Sequence, residues 1–166
     1  MRVLVAGVGN VLRGDDGFGV EVVRRLEEVD LPGGCSVVET GIAGIALVQE
    51  LQEGWDALIV VDTVDRGRPP GTVMVIEPDV VDVAALEPMS RHDLLADMHL
   101  ATPERAMMLA RALGVLPEQV LMVGCQPTDA HTVSDALTHP VAAAVDVAID
   151  EIARLCAGMC APGATR

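Results

Sequence analysis

The chain reads as an α/β fold, a three-layer α/β/α sandwich around a twisted, mostly parallel mixed sheet of about five strands. Apolar runs of strand length alternate with amphipathic segments of helical period, the order a doubly wound sheet requires. Apolar residues make up 51% of the 166, an ample core, and no linker composition interrupts them. One domain over 1–160 is expected, with 161–166 as a frayed tail.

The elements follow in order. Val3 to Val8 is a buried strand that stops at Gly9 and Asn10, and a helix begins near Asp16 with Phe18, Val22, Leu26 and Val29 on one face. Cys35 to Thr40 is a second strand, Ala43 to Gln52 a short helix with Leu47, Val48 and Leu51 inward, and Ala57 to Asp62 a fully buried third strand. Thr72 to Glu77 follows after only a short Arg/Gly/Pro loop, so it is expected as an antiparallel partner of strand three. From Pro78 to Leu100 the periodicity dissolves over a stretch longer than ordinary connections. Thr102 then caps a helix with Pro103 at its first position and Gly114 at its stop. Val120 to Val123 is the last strand, and Thr138 with Pro140 opens a final helix that turns Val141, Val145, Ala148, Ile149, Ile152 and Leu155 inward.

Charge and cysteine usage narrow the function classes. The chain carries 25 acidic residues against 11 arginines and no lysine, a formal charge of −14, which disfavours nucleic acid and anionic membrane as partners. No apolar run approaches a membrane span, and Arg2 leads straight into a core strand, so no signal peptide is expected and the cytoplasm is the expected compartment. Cys35 and Cys125 read as buried small hydrophobes; Cys156 and Cys160, one helical turn apart, lack the further ligands that a closed metal site needs.

The informative segment is GVGNVLRGDDGFG, residues 7–19, where glycines permit close backbone approach and positive φ while a loop tethered at both ends presents Asp15 and Asp16. Parallel strands one and three end on the same edge, so Asp16 and the strand terminus Asp62 are expected side by side where open sheets bind ligands. Two such carboxylates repel unless protonated or bridged by a cation. The irregular segment offers His92 and His99, and either completes a partial shell with positions open to water and substrate. Such a centre suits water attack on a carbonyl. Each residue also has a plainer use: Asp15 or Asp16 as a helix cap, Asp62 as the start of a turn, a loop histidine as a solvated side chain, and His131 and His139 as surface residues. A nucleotide-cradling GVGNVLRG turn is the rival reading, but the spacing is not GxGxxG and a Walker lysine is absent. GxSxG and zincin motifs are absent too.

Taken together, GVGNVLRGDDGFG, ETGIAG at 39–44, LIVVD ending in Asp62, PGTVMVIE, a downstream histidine and VGCQP at 123–127 resemble the hydrogenase maturation endopeptidases over nearly the whole chain. The resemblance implies a small cytoplasmic protease that removes a C-terminal extension from the nickel-loaded precursor of a nickel-iron hydrogenase large subunit. It implies a twisted mixed sheet between helical layers and carries the metal-contacting and catalytic positions to Asp16, Asp62 and a histidine. Ser90-Arg91-His92 matches one local form of the family motif, whereas the register of the following helix, proline, strand and VG selects His99, with His92 as second choice. Nickel is implied to arrive with the precursor, another divalent cation being able to occupy the site in isolation, and no nucleotide is implied. Thr40 and Gly41 are implied to line the cleft for the tail. A monomer suffices. The remaining alternative is a non-catalytic chaperone of the metallated precursor.

Overall fold

The computed structural model describes residues 1–42, 44–85, 87 and 102–161. Its strands are β1 (Val3–Val8), β2 (Cys35–Gly41), β3 (Ala57–Thr63), β4 (Val73–Ile76) and β5 (Gln119–Cys125), in the sheet order β2-β1-β3-β5-β4. The helices are α1 (Phe18–Leu26), α2 (Gly44–Leu51), α3 (Pro103–Ala112) and α4 (His139–Cys160), with short 3-10 turns at Gly14–Gly17 and Val83–Ala85.

Alternation along the strands divides the core into two layers of side chains. Val3, Val5, Ile59, Val61, Val123 and Cys125 face α1 and α4, which contribute Phe18, Val22, Leu26, Val145 and Ile152. Leu4, Ala6, Val8, Leu58, Val60 and Met122 face α2 and α3, which contribute Leu47, Leu51, Met107 and Ala110. Helices on both faces of one sheet make the expected three layers. Every residue of β1 is buried, which explains why its sequence runs apolar without a polar alternate.

β1 pairs in parallel with β2 and β3, and β3 with β5, while β4 runs antiparallel. The expected direction of β4 is therefore right and its expected neighbour is not: β4 pairs with β5 rather than β3. β5 offers β3 a seven-residue register from Ala57↔Gln119 to Thr63↔Cys125 and four consecutive buried residues, whereas β4 is four residues long and nowhere fully buried. A central strand needs the longer apolar neighbour, so β4 is left at the edge. The connection crosses the end of β5, where Val64 N donates to Cys125 O (2.9 Å) and Gln126 N to Thr72 O (2.9 Å).

Local boundaries shift for physical reasons. α1 starts at Phe18 because Gly14–Gly17 winds as a tighter turn, and it ends at Leu26, leaving Val29 outside the helix and 37% exposed rather than on the buried face. Thr102 caps α3 as expected, accepting from Arg105 N at 3.4 Å. Thr138 precedes α4 but makes no side-chain cap bond, because its hydroxyl is engaged elsewhere. No helix among the described residues is long and apolar enough to cross a membrane. The tail lies outside the described residues from 162 onward.

Candidate active site

The loop after β1 is folded back on its own carboxylate. Gly9 has φ 139°, and a Cβ there would stand 1.9 Å from the carbonyl oxygen of Asp16, so only glycine fits. The next amide, Asn10 N, donates both to Asp16 O and to Asp16 Oδ2, each at 3.1 Å. At Gly19 an added Cβ would meet Val61 O at 2.1 Å and Val8 O at 2.3 Å. The start of α1 thus lies directly on the carboxyl ends of β1 and β3, which brings the loop holding Asp16 against the strand terminus holding Asp62.

The two adjacent aspartates have separate jobs, and neither caps α1 through its side chain. Asp15 is fully buried and accepts from Thr128 N (2.8 Å), Asp129 N (3.0 Å), Thr138 N (2.7 Å) and Thr138 Oγ1 (3.0 Å), tying the loop to the segment between β5 and α4. Asp16 is half-buried and lines an open cleft of about 410 Å³ with Arg13, Thr63, Asp65, Pro127, Thr128, Asp129, Ala130 and His131. Asp62 is 9% exposed at the end of β3 and accepts from Thr63 N at 2.7 Å.

Electrostatics joins Asp16 to Asp62. Burial raises the Asp62 carboxyl well above its usual range, and the negative charges of Asp16 and Glu104 raise it further against the bond from Thr63 N. Burial also raises Asp16, opposed by the Asn10 amide and by the charges of Arg13 and His131. The charges acting on Asp62 have its own sign, and a nearby cation would offset them. Among the described residues no three His, Cys, Asp or Glu side chains are grouped to hold a metal. The expected third member, His99 with His92 as its alternative, lies outside the described residues.

Thr40 and Gly41 stand at the end of β2 beside the same loop. Buried Thr40 donates its hydroxyl to Gly7 O (3.0 Å), and Gly41 O accepts from Gly9 N (3.1 Å). Gly41 has φ 55° and open space where a side chain would be. Two nearby residues escaped the sequence reading. His131 is exposed, as expected, yet lines the cleft and acts on Asp16; its position in the polar loop after the last strand was the available signal. Glu104 acts on Asp62 from the first turn of α3, where an acidic residue reads simply as a complement to the helix dipole. The cysteines gather elsewhere. Cys35 Sγ lies 3.7 Å from Cys160 Sγ, at the start of β2, while Cys125 is a buried core residue.

A phosphate cradle needs free backbone donors, and this loop has spent its own. From Gly9 to Asp16 every N–H but that of Val11 donates to an oxygen of the chain.

Comparison with known proteins follows the same direction. The family model HycI, hydrogenase maturation protease, matches residues 20–155. Hydrogenase expression/formation protein HupD of Rhodobacter capsulatus is 37% identical over 155 residues, covering 92% of this chain and 70% of that protein. Hydrogenase 2 maturation peptidase from a Thaumarchaeota archaeon superposes with a TM-score of 0.66 at 34% identity, over 93% of this chain and 97% of that one. Hydrogenase maturating endopeptidase HybD from E. coli gives a TM-score of 0.71 at 28% identity, over 92% and 90%.

Proposed function

Because this chain belongs to the hydrogenase maturation protease family, we propose that it removes the C-terminal extension of the nickel-loaded precursor of a nickel-iron hydrogenase large subunit. In this reading Asp16, Asp62 and His99 meet the nickel that the precursor carries, and the protein works in the cytoplasm as a monomer. The carrying observation is a pair of desolvated carboxylates at the carboxyl edge of the sheet, Asp16 lining the cleft and its negative charge acting on buried Asp62. Nothing in a stable fold requires a buried carboxylate to sit within the field of a second one, and a cation brought by the substrate relieves that cost.

Hydrolysis of one peptide bond consumes one water and yields a new carboxyl terminus and a free amine. The nickel, as part of the substrate, supplies charge that polarises the scissile carbonyl and acidifies water. Asp16, anchored by the Asn10 amide, fixes the position of the precursor's metal. Asp62 takes up a proton more readily than a solvated carboxylate, which suits it to receive one from the attacking water. Asp15 holds the loop in place without reaching the substrate. Thr40 and Gly41 brace the ends of β1 and β2, and the open space at Gly41 leaves room for the backbone of a tail.

Nickel-loaded precursor incubated with the wild type is expected to lose the mass of its extension, and Asp16→Ala, Asp62→Ala or His99→Ala should block that loss. Wild-type rates in all three variants would contradict the assignment. His92→Ala separates the two histidines: it should retain conversion where His99→Ala does not. Binding of the precursor with no change of its mass by the wild type would instead establish a non-catalytic chaperone.

A further inference from the structure

The β3–β4 connection is built far more firmly than a link between strands requires. Gln126, 6% exposed at the end of β5, turns both ends of its amide to it, its Nε2 also donating to Pro127 O (3.5 Å). Its Oε1 accepts from Arg66 N (2.7 Å) and Arg68 N (3.1 Å), and its Nε2 donates to Asp65 Oδ1 (3.0 Å), the atom that also accepts from Gly67 N (3.1 Å). Three successive backbone amides are therefore held, two by buried Gln126 and one by Asp65, and Gly67 at φ 62° makes the turn. What the turn sends outward is a pair of arginines.

Those arginines stand apart from most others in the chain. Arg2 is bonded to Glu53 O and Gly54 O, Arg24 to Glu39, Arg25 to Asp146, Arg111 to Val80 O and Arg154 to Glu151, and Arg105 has a partner of its own. Arg66 and Arg68 are exposed, and their side chains have no hydrogen-bond or ion-pair partner among the described residues. They follow Asp65, which lines the cleft with Asp16, and Arg13 lines the same cleft. In a chain whose formal net charge is −14, the arginine side chains without a hydrogen-bond or ion-pair partner among the described residues are those of this turn and of Arg13 in the cleft.

The geometry points to the Arg66-Gly67-Arg68 turn as the element that docks carboxylate groups of the precursor polypeptide beside the cleft. This inference rests on the proposed function for the identity of the partner. A chain this acidic repels an acidic protein at long range, so the place where it can accept one fixes the orientation of approach. The backbone of the turn is held from below before the partner arrives, so only the two side chains remain to be ordered when their guanidinium groups form forked bonds to carboxylates. The carboxylates can be acidic side chains on the precursor's folded body or the terminal carboxylate of its extension.

The test uses full-length protein and nickel-loaded precursor, with binding and conversion measured separately at low and high salt. R66Q/R68Q should weaken precursor binding about tenfold, raise KM more than it lowers kcat, and flatten the salt dependence seen in the wild type. Its thermal midpoint should match the wild type because both side chains are exposed, and R66K/R68K should recover only part of the binding, because an ammonium group keeps the charge but not the fork. Precursor with an amidated C-terminus identifies the source: equal weakening of the wild type, with no further loss in R66Q/R68Q, assigns the tail carboxylate, and unaltered binding assigns acidic side chains. Unchanged binding and KM in R66Q/R68Q would overturn the inference, as would failure of the wild type to bind precursor at all. The binding measurement reads the arginines even if no conversion occurs, so the docking claim and the protease claim fail separately.

Discussion

At the amino edge of the sheet Arg2 donates to Glu53 O (2.8 Å) and Gly54 O (2.5 Å), stacks 4.4 Å from the Trp55 ring centre, and offers its backbone N–H to Asp56 Oδ2 (2.6 Å). At the carboxyl edge Asp62 is equally a strand-end residue, yet the charges acting on it are those of Asp16 and Glu104, and its ionised form is disfavoured. One edge satisfies charge and closes the structure; the other leaves charge unsatisfied and open to a partner. The same contrast divides Asp15 from Asp16. Asp15 is saturated by four donors, whereas Asp16 keeps one oxygen tied and faces a cleft. Full satisfaction is what a structural carboxylate requires, and partial satisfaction beside a like charge is the ground on which Asp16 and Asp62 are proposed as the reactive pair.

Substitutions that exploit this contrast should split activity from stability. The largest effect falls on conversion: Asp16→Ala and Asp62→Ala should each lower the rate of precursor shortening by about 10³-fold or more, with circular dichroism unchanged. A loss under tenfold would move the reactive centre elsewhere. Asp15→Ala should behave in the opposite way, destabilising the fold by about 3 kcal/mol because three part-buried backbone amides lose the fully buried carboxylate that accepts from them. Urea unfolding measures that cost, and a change below about 0.5 kcal/mol would show that water replaces the carboxylate.

Asp62→Asn sharpens the comparison further. A carboxyl raised in the folded state retains its proton at pH values where the unfolded chain has released it. Its favourable contribution is therefore present at low pH and is lost as pH rises from the ordinary value of 3.8 through the higher folded value. The neutral amide escapes that loss. At neutral pH Asp62→Asn should raise Tm by about 2–6 °C while abolishing conversion, and the advantage should vanish in acid. A lower Tm at neutral pH would mean that the ionised carboxylate is stabilising. The smallest effect belongs to the amino edge, where Arg2→Ala should cost about 1 kcal/mol and leave conversion unchanged.

Much of this was legible before any coordinates. The unbroken aliphatic runs of β1 and β3 could only be strands buried on both faces, and their shared direction put the loop of Asp16 beside the end of Asp62. β4's antiparallel direction was readable from its short connection. Its neighbour was not, because strand order depends on which strand wins the long buried register beside β3, a competition between segments sixty residues apart. The division of labour between Asp15 and Asp16 was hidden for a related reason: adjacent aspartates are alike in sequence, and only the return of Thr128, Asp129 and Thr138 onto Asp15 separates them. Gln126 read as part of a family motif, and its task of shaping the Arg66-Gly67-Arg68 turn needs the fold to be seen.

The central claim, that Asp16 and Asp62 together form the reactive centre of an endopeptidase, is tested most directly by intact mass spectrometry of nickel-loaded precursor incubated with wild type and with D16N/D62N. The wild type should convert the precursor to a form shorter by its C-terminal extension, and the doubly neutralised protein should leave its mass unchanged while remaining folded. Shortening by D16N/D62N at the wild-type rate would contradict the claim.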